Sequence, residues 1–548
     1  MITNKKKSFL RQKFAPLLCV LILICEFIAV PSAVAFEIDT GGSDFNIRWD
    51  NTIKYSNAYR IKDQSSGLTE GTSLINQDDG DRNFDKGFIS NRFDLLSELD
   101  IAYHQMGVRL SGAAWYDSIY ESSNDHDDAS HANNYSVAYN KFTDETRDVH
   151  GKDVELLDAF AYWNGEIAGK FASIRIGRHA HQWGQSLFYG GNGIAGAMAP
   201  VDIVTAATVP NSQFKEIIRP VNQVSGIYEV TEVFSIAAYY QFEWEKNRFP
   251  AAGSYLSTSD TFGEGTERLL AGPYAFYHTD DQDASDNGQG GISFSYSTDT
   301  VDYGVYAIQY HSKSPKLYMV PGAGSSGAAD SIGDYYWVYP EDIRMLGVSA
   351  SKTIGEFNFA VEAAMSWNMP LTSNGQTVYS GMAADNDDNP LYAVGRTAHL
   401  NFNWMATLSP NFIANEASFL GEIAAHKLLE ITDNKKALDP YCSDYGLAMR
   451  LVYTPTYRQV FSGVDISVPV GISYNPIGNS PIGGLGADDG GDMNAGLKIT
   501  YLEKYHFSLT YTHFYGAEGP FLDADNYYTY QQSQKDRDYL AFSVSTTF

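Results

Sequence analysis

The chain closes with Tyr539-Leu540-Ala541-Phe542-Ser543-Val544-Ser545-Thr546-Thr547-Phe548. Leu540, Phe542, Val544 and Phe548 share one parity, and Ala541, Ser543, Ser545 and Thr547 share the other. A period of two, with one greasy face and one small polar face, reads as a strand between lipid and a wet interior. A terminal aromatic on such a strand is similar to the sorting signal of bacterial outer-membrane β-barrels, so Phe548 is the candidate assembly signal read by the barrel-assembly machinery. This reading predicts an export signal upstream, an even number of antiparallel strands, and connections that alternate short and long.

The N-terminus meets the first expectation. Lys5, Lys6, Lys7, Arg11 and Lys13 precede a mostly apolar run from Phe14 to Val30, and Ala33-Val34-Ala35 fits a small-x-small cleavage site. Residues 1–35 are therefore expected to be a signal peptide and 36–548 the barrel. Cys19 and Cys25 belong to that leader, which leaves Cys442 alone and excludes an intrachain disulfide in the mature chain. A chain of this size without disulfides needs another device, and a closed barrel, which leaves no strand edge unpaired, is one.

No later segment has the roughly 18 uninterrupted apolar residues of a membrane helix. The mean hydropathy of −0.28 is compatible with a barrel, because lipid-facing and lumen-facing residues average out along each strand. Aromatic residues make up 14%, as interfacial girdles require. The formal net charge of −28 disfavours nucleic acid as a partner. Much of the acid is clustered, at Asp125-His126-Asp127-Asp128, Asp280 to Asp286, Asp385 to Asp388 and Asp488-Asp489. These runs read as solvated outer loops, with bridging divalent cations the one cofactor class they would admit.

Alternating stretches recur along the whole mature chain. Phe45, Ile47, Trp49, Ile53 and Tyr55 oppose Asn46, Arg48, Asp50, Thr52 and Lys54, and Phe93, Leu95, Leu99 and Ile101 oppose Arg92, Asp94, Glu98 and Asp100. Continued to the end, the pattern gives about 18 strands, within a range of about 16–18. Tight turns, as at Gly165–Gly169 and Leu502–Lys504, alternate without exception with long connections near 57–87, 119–150, 180–220, 247–289, 312–340, 370–391, 427–443, 475–491 and 516–535. A soluble sandwich has no reason to sort its loops by parity. The expected fold is all-β, a transmembrane antiparallel barrel in the bacterial outer membrane, surrounded by outer-membrane lipid.

One long connection differs from the others. Residues 180–220, after the fifth strand, contain Gly190-Gly191-Asn192-Gly193-Ile194-Ala195-Gly196-Ala197-Met198-Ala199-Pro200-Val201-Asp202, glycine-rich and apolar where the other loops are acidic. Exposed to water it would be an unusual patch. Folded inward it would be a hatch or pore-constricting loop; packed outside it would be a lid. Asn211 or Ser212 can cap a short helix over Phe214-Lys215-Glu216-Ile217-Ile218 before Pro220. The pore or hatch candidates are Arg178, Trp183, Asp202, Lys215, Glu216 and Arg219. The lumen-wall candidates are Arg92, Asp94, Glu98, Asp100, Arg175, Glu243 and Glu245. A self-satisfying charge network and a field that selects the solute both fit those residues.

Several blocks together resemble one family: Asn91-Arg92-Phe93-Asp94-Leu95-Leu96-Ser97-Glu98-Leu99-Asp100, Ser111-Gly112-Ala113-Ala114-Trp115-Tyr116-Asp117, Ile176-Gly177-Arg178 with Trp183-Gly184-Gln185, Pro200-Val201-Asp202, Tyr240-Gln241-Phe242-Glu243-Trp244-Glu245, and Tyr339-Pro340-Glu341-Asp342-Ile343-Arg344. They resemble the DUF1302 family of proteobacterial outer-membrane proteins over nearly the whole mature chain. The resemblance implies envelope transport of apolar molecules, with a DUF1329-like periplasmic protein or an RND-type transporter as partner. The family pattern is acidic after Trp183-Gly184, and Gln185 departs from it, so no carboxylate role carries over there.

The sequence thus points to a channel for small hydrophobic or amphipathic solutes. The alternative is an outer-membrane component or docking platform of an export system working with RND-type transporters. A lipid hydrolase embedded in the barrel is a third reading, but the chain has neither a Gly-x-Ser-x-Gly elbow nor a His-Glu-x-x-His site. His179 and His181, at i and i+2, would share one face of a strand, where a metal pair is conceivable and ordinary polar residues near a membrane rim are the commoner reading. The expectation is a protein that is not an enzyme.

Overall fold

The computed structural model describes residues 36–38 and 44–548 apart from Thr72, 210–213 and Ala323. The predicted signal peptide and the predicted caps Asn211 and Ser212 lie outside the described residues. Eighteen strands form the wall. The first nine are β1 (Phe45–Arg60), β2 (Phe88–Tyr103), β3 (Met106–Asp117), β4 (Lys152–Ile167), β5 (Lys170–His179), β6 (Val221–Thr231), β7 (Phe234–Gln241), β8 (Gly290–Ser297) and β9 (Asp302–Tyr310). The next five are β10 (Ile343–Ile354), β11 (Phe357–Pro370), β12 (Val394–Leu408), β13 (Glu416–Asp433) and β14 (Tyr445–Phe461). Strand β15 is split into Val464–Ser467 and Val470–Ile477, interrupted at Pro469, which has no N–H to give to the ladder. Then follow β16 (Gly491–Tyr501), β17 (Tyr505–Tyr515) and β18 (Tyr539–Thr547).

Each strand pairs antiparallel with the next, and β18 pairs with β1, so the sheet is a closed barrel. The seam runs from Thr52 opposite Thr547 to Arg60 opposite Tyr539. It ends on Phe548, whose N–H donates to Asn51 O at 2.9 Å and whose carbonyl accepts from Asn51 N at 2.7 Å. Beyond that point Phe36–Ile38 continues the pairing along Ile47–Trp49. Closure expected from the terminal strand is therefore what the fold contains, at 18 strands.

The two faces separate as the period of two requires. On β10, Leu346 and Val348 are exposed, while Ile343, Met345 and Gly347 on the other face are buried. On β1, Thr52, Lys54, Ser56, Ala58 and Arg60 are buried inside, while Tyr55 and Tyr59 face out beside Phe93 and Phe88 of β2. An exterior of Phe93, Leu95, Val108, Leu110, Ile174, Ile176, Val305 and Leu400 is a lipid-facing belt. Among the described residues no helix is long and apolar enough to cross a membrane, which says nothing of strands.

Short turns, such as 104–105, 168–169 and 462–463, all lie at one end. The long connections at the other end pack on one another. Segments from three of them build a second sheet in the order Gln376–Thr377, Lys316–Pro321, Ser331–Val338, Tyr274–His278 and Arg268–Ala271. Phe84, Tyr120, Phe142, Tyr255 and Leu256 form a dry cluster over β1 and β18.

Placing a charge in the belt tests the membrane reading. Val348→Arg is expected to destabilise the barrel by about 2–4 kcal/mol in lipid vesicles, measured by reversible denaturant titration. An unchanged midpoint would mean that this face does not meet lipid.

Candidate functional site

Two strands carry a buried acid beside an alanine on their inner face. On β11 the inward series is Ala360, Glu362, Ala364 and Ser366; on β13, Glu422 neighbours Ala424 and His426 on the same parity. Glu362 and Glu422 are both almost fully buried. The small neighbours leave room for another backbone to approach, and the 180–220 segment occupies it.

Both carboxylates are held by main-chain donors of that segment. Glu362 Oε2 accepts from Gln185 N at 2.6 Å and Oε1 from Ile194 N at 3.0 Å. Glu422 Oε2 accepts from Leu187 N and Tyr189 N at 3.0 Å each, and from Phe188 N between them. Its other oxygen accepts from Asn401 Nδ2 at 2.8 Å. N–H donors converging on one buried carboxyl group replace the hydrogen bonds it has lost to water. Gly193 is required at the first anchor, because a Cβ there would come within 1.9 Å of Glu362 Oε1. Gly184, at φ +102°, makes the left-handed turn that brings Gln185 to the same carboxylate.

Asn192 fixes the register. Its Nδ2 donates to Asn401 Oδ1 at 2.8 Å, and its Oδ1 lies 2.8 Å from His426 Nδ1, whose Nε2 lies 2.7 Å from Ser480 Oγ. Asn403 Nδ2 donates to Gln185 O at 2.6 Å, and Gln241 Nε2 to Met198 O at 2.8 Å. Ile194, Ala197 and Met198 then pack in one buried apolar cluster with Tyr239, Tyr306, Ile308, Tyr310, Ile343, Met345 and Ala364 of the wall. The greasy stretch that would be anomalous in water is thus covered by the inner face of β7 and β9–β11.

The far end of the segment meets the opposite side of the barrel. Lys215 pairs with Glu98 of β2, and Glu216 lies 3.4 Å from Lys54 Nζ of β1. Between the two ends, Asp202 caps the helix Ile203–Thr208 through Thr205 N at 2.8 Å and pairs with Arg248 at 2.8 Å. From Arg248 a ladder of alternating charge runs through Glu155 (2.8 Å), Arg219 (3.4 Å), Glu245 (3.3 Å), Arg178 (4.0 Å) and Glu243 (2.8 Å).

The structure therefore brings Asp202, Arg219, Arg178, Glu243 and Glu245 into one network, and Lys215 and Glu216 onto the wall. Arg178 shares the strand face of Ile174 and Ile176 and reaches the ladder from the end of β5; Glu243 and Glu245 lie just beyond β7. Arg92, Asp94, Glu98 and Asp100 all face inward. Arg92 pairs with Asp94 at 2.7 Å and, with Arg248, lies over the Trp115 ring; Glu98 binds Arg109 at 2.6 Å, and Asp100 accepts from Tyr162 Oη at 3.1 Å. Arg175 lies over the Phe160 ring at 5.8 Å. Trp183 stands apart from these charges, 5.1 Å from the Tyr239 ring and 5.9 Å from Tyr306. His179 bonds Ser225 Oγ at 2.7 Å and His181 packs on Trp183 and Tyr239, so the two are in separate environments.

Sequence reading missed Glu362, Glu422, Asn192, Asn401, Glu155 and Arg248. The signal for Glu362 is a single acid set between alanines on the inward parity of its strand; Glu422, between Leu420 and Ala424, lacks it. Arg248 and Asn192 carry no such mark; only the fold brings them in.

These features define a class: a lipid-facing closed barrel with a long internal segment anchored on its inner wall. The family described as "Protein of unknown function (DUF1302)" matches residues 17–548. The chain belongs to that family. No curated protein matches the sequence. Among solved structures the chain is similar to Acinetobacter baumannii OccAB3, at 8% identity and a TM-score of 0.42, covering 92% of this chain and 99% of that one. It is similar to the outer membrane channel DcaP of Acinetobacter baumannii, at 7% identity and 0.38, covering 94% and 100%. It is also similar to Pseudomonas aeruginosa OccK1 (OpdK), at 9% identity and 0.40, covering 92% and 98%.

Glu422→Ala tests the anchor. It leaves three part-buried N–H donors without their acceptor, at a cost of up to about 1 kcal/mol each where water can reach them. Hydrogen exchange at Leu187–Tyr189 is expected to accelerate at least tenfold while the β1–β18 seam stays protected. Unchanged exchange at those amides would remove Glu422 from the account.

Proposed function

We propose that this protein is an outer-membrane channel in which residues 180–220 act as a hatch that narrows the lumen to a passage beside the inner face of β1–β5. The observation that carries this reading is that one segment is seated on Glu362 and Glu422 at one side of the barrel and on Lys54 and Glu98 at the other. An open aqueous pore needs no such crossing piece.

The banks of the passage argue for small amphipathic solutes. One bank is the charged wall of Lys54, Arg92, Asp94, Glu98, Asp100 and Arg175. Arg92 pairs with Asp94, Glu98 with Arg109 and Lys215, and Lys54 with Glu216, so the wall presents polarity of both signs. The other bank is the segment itself, whose Leu187, Phe188 and Tyr189 are only half-buried. Phe188 lies 5.8 Å from the Arg450 guanidinium.

In this account residues 1–35 direct export and Phe548 is read by the assembly machinery. A periplasmic carrier or RND-type transporter would exchange solute at the short-turn end.

Conductance in planar bilayers tests the proposal. Deleting Gly190–Ala199 is expected to raise single-channel conductance several-fold over the intact chain. Equal conductance in a folded deletion variant would show that the segment does not limit passage, and no conductance in either would remove the channel reading.

A further inference from the structure

Away from the lumen, three of the long connections meet at a buried acidic centre. Asp78 and Asp79 come from 61–87, and Asp260 from 242–289. All three are buried, and one carboxylate oxygen from each lies within 4.8 Å of the others. Asp260 Oδ2 accepts from Asp79 N at 3.2 Å. Asp79 lies 2.9 Å from His126 Nε2 and accepts from Asn133 N at 3.1 Å, which brings in the third connection, 118–151. Asp78 Oδ2 accepts from Arg82 Nε at 2.7 Å and lies 2.8 Å from His131 Nδ1.

What points to a ligand is the set of oxygens left over. Asp78 is 0% exposed and Asp260 1%, yet Oδ1 of each has no hydrogen-bond partner. The same holds for the side-chain oxygens of Asn83 and Asn133, which are 6% and 2% exposed. The orientation of both amides is set by their nitrogens, since Asn83 Nδ2 donates to Gly253 O at 2.8 Å and Asn133 Nδ2 to Arg268 O at 2.9 Å. Asp79, Asn83, Asn133 and Asp260 line one small cavity with about 20 Å³ of room for a water-sized sphere. Buried acceptors without partners are costly and seldom occur together.

We propose that this centre is a calcium site that ties the three connections together over the barrel mouth. The free donors are all oxygens, carboxylate and amide, which suits a hard cation rather than zinc. Oxygens no more than 4.8 Å apart fall within the span of bonds of about 2.3–2.6 Å on opposite sides of one calcium ion. Three carboxylates against the Arg82 guanidinium leave a charge suited to a divalent ion. The acidic run 125–128, which the sequence marks, takes a supporting part: Asp127 pairs with Arg82 at 2.8 Å, and Asp125 accepts from Asp85 N at 3.0 Å. Burial, with the neighbouring carboxylates, pushes Asp260 well above the usual carboxylate range, and burial pushes Asp78 up to about 6. A proton shared within the cluster is therefore the competing arrangement.

Calorimetry on the full-length protein in detergent, stripped with chelator and titrated with calcium chloride, separates the two. The expected result is one calcium per chain with a Kd at or below about 1 mM, together with calcium-dependent protection of 61–87, 118–151 and 242–289 from hydrogen exchange. Asp260→Asn, nearly isosteric, is expected to weaken binding at least tenfold, and Asp388→Asn on the exposed run to leave it unchanged. Folding of each variant is checked by its heat-dependent shift on an unheated gel, and Asp78→Asn replaces Asp260→Asn if the latter does not fold. Absence of saturable binding, or wild-type binding in folded Asp260→Asn, would overturn the proposal. So would an Asp260→Asn chain more stable than wild type in chelator, with calcium stabilising neither, because that is the signature of the shared proton.

Discussion

Inside a bilayer a backbone N–H or C=O has no water to turn to, so the wall must satisfy every one of its own groups. That constraint governs this protein. It is met where Tyr539–Thr547 pairs with Thr52–Arg60, with Phe548 and Asn51 exchanging the last two bonds. Closing that seam with every neighbour antiparallel requires an even number of strands, and the wall has eighteen. The segment 36–38, paired beyond the end of β18, shows the same demand carried past the last residue of the chain.

Closure solves the problem of edges and creates one of volume. A cylinder this wide encloses more space than wall side chains can fill. Here part of that space is taken by a glycine-rich segment, and its backbone groups face the same demand for partners. Glu362 and Glu422 answer it by accepting amide donors directly, Asn192 and Asn401 by locking the register, and Ile194 and Met198 by completing a dry cluster with wall tyrosines. On the facing side the charges of β1–β5 are met partly by one another and partly by Lys215 and Glu216 of the segment. The interior therefore divides into a packed half and a charged half, and the proposed path runs along their boundary.

Much of the fold was legible because period two is a direct imprint of a wall with two solvents. The strand count, the long connections and the oddity of 180–220 could be read from residue order alone. The inward parity of Arg92, Asp94, Glu98 and Asp100 was equally plain. The partners were not. Gln185 and Glu362 are 177 residues apart, and nothing local in either announces the other. Arg178 shares the strand parity of Ile174 and Ile176, and only the fold shows that it reaches Glu243 and Glu245 from the strand end. The acidic runs drew attention to exposed loops and passed over Asp78-Asp79-Gly80-Asp81, a run just as dense that is buried and meets the distant Asp260. Periodicity reports environment; contacts across a barrel depend on topology.

The central claim is that the segment rests inside the barrel on β10–β13. A Cβ added at Gly347 of β10 would lie 2.9 Å from the Ile194 side chain, close enough for a disulfide between cysteines at the two positions. The measurement is cross-linking of an Ile194→Cys, Gly347→Cys pair in intact outer membranes, with Cys442→Ser as background. The account predicts near-complete disulfide formation, with unaltered heat-dependent mobility and unaltered conductance. Two thiols that stay free and open to alkylation in a folded barrel would contradict it.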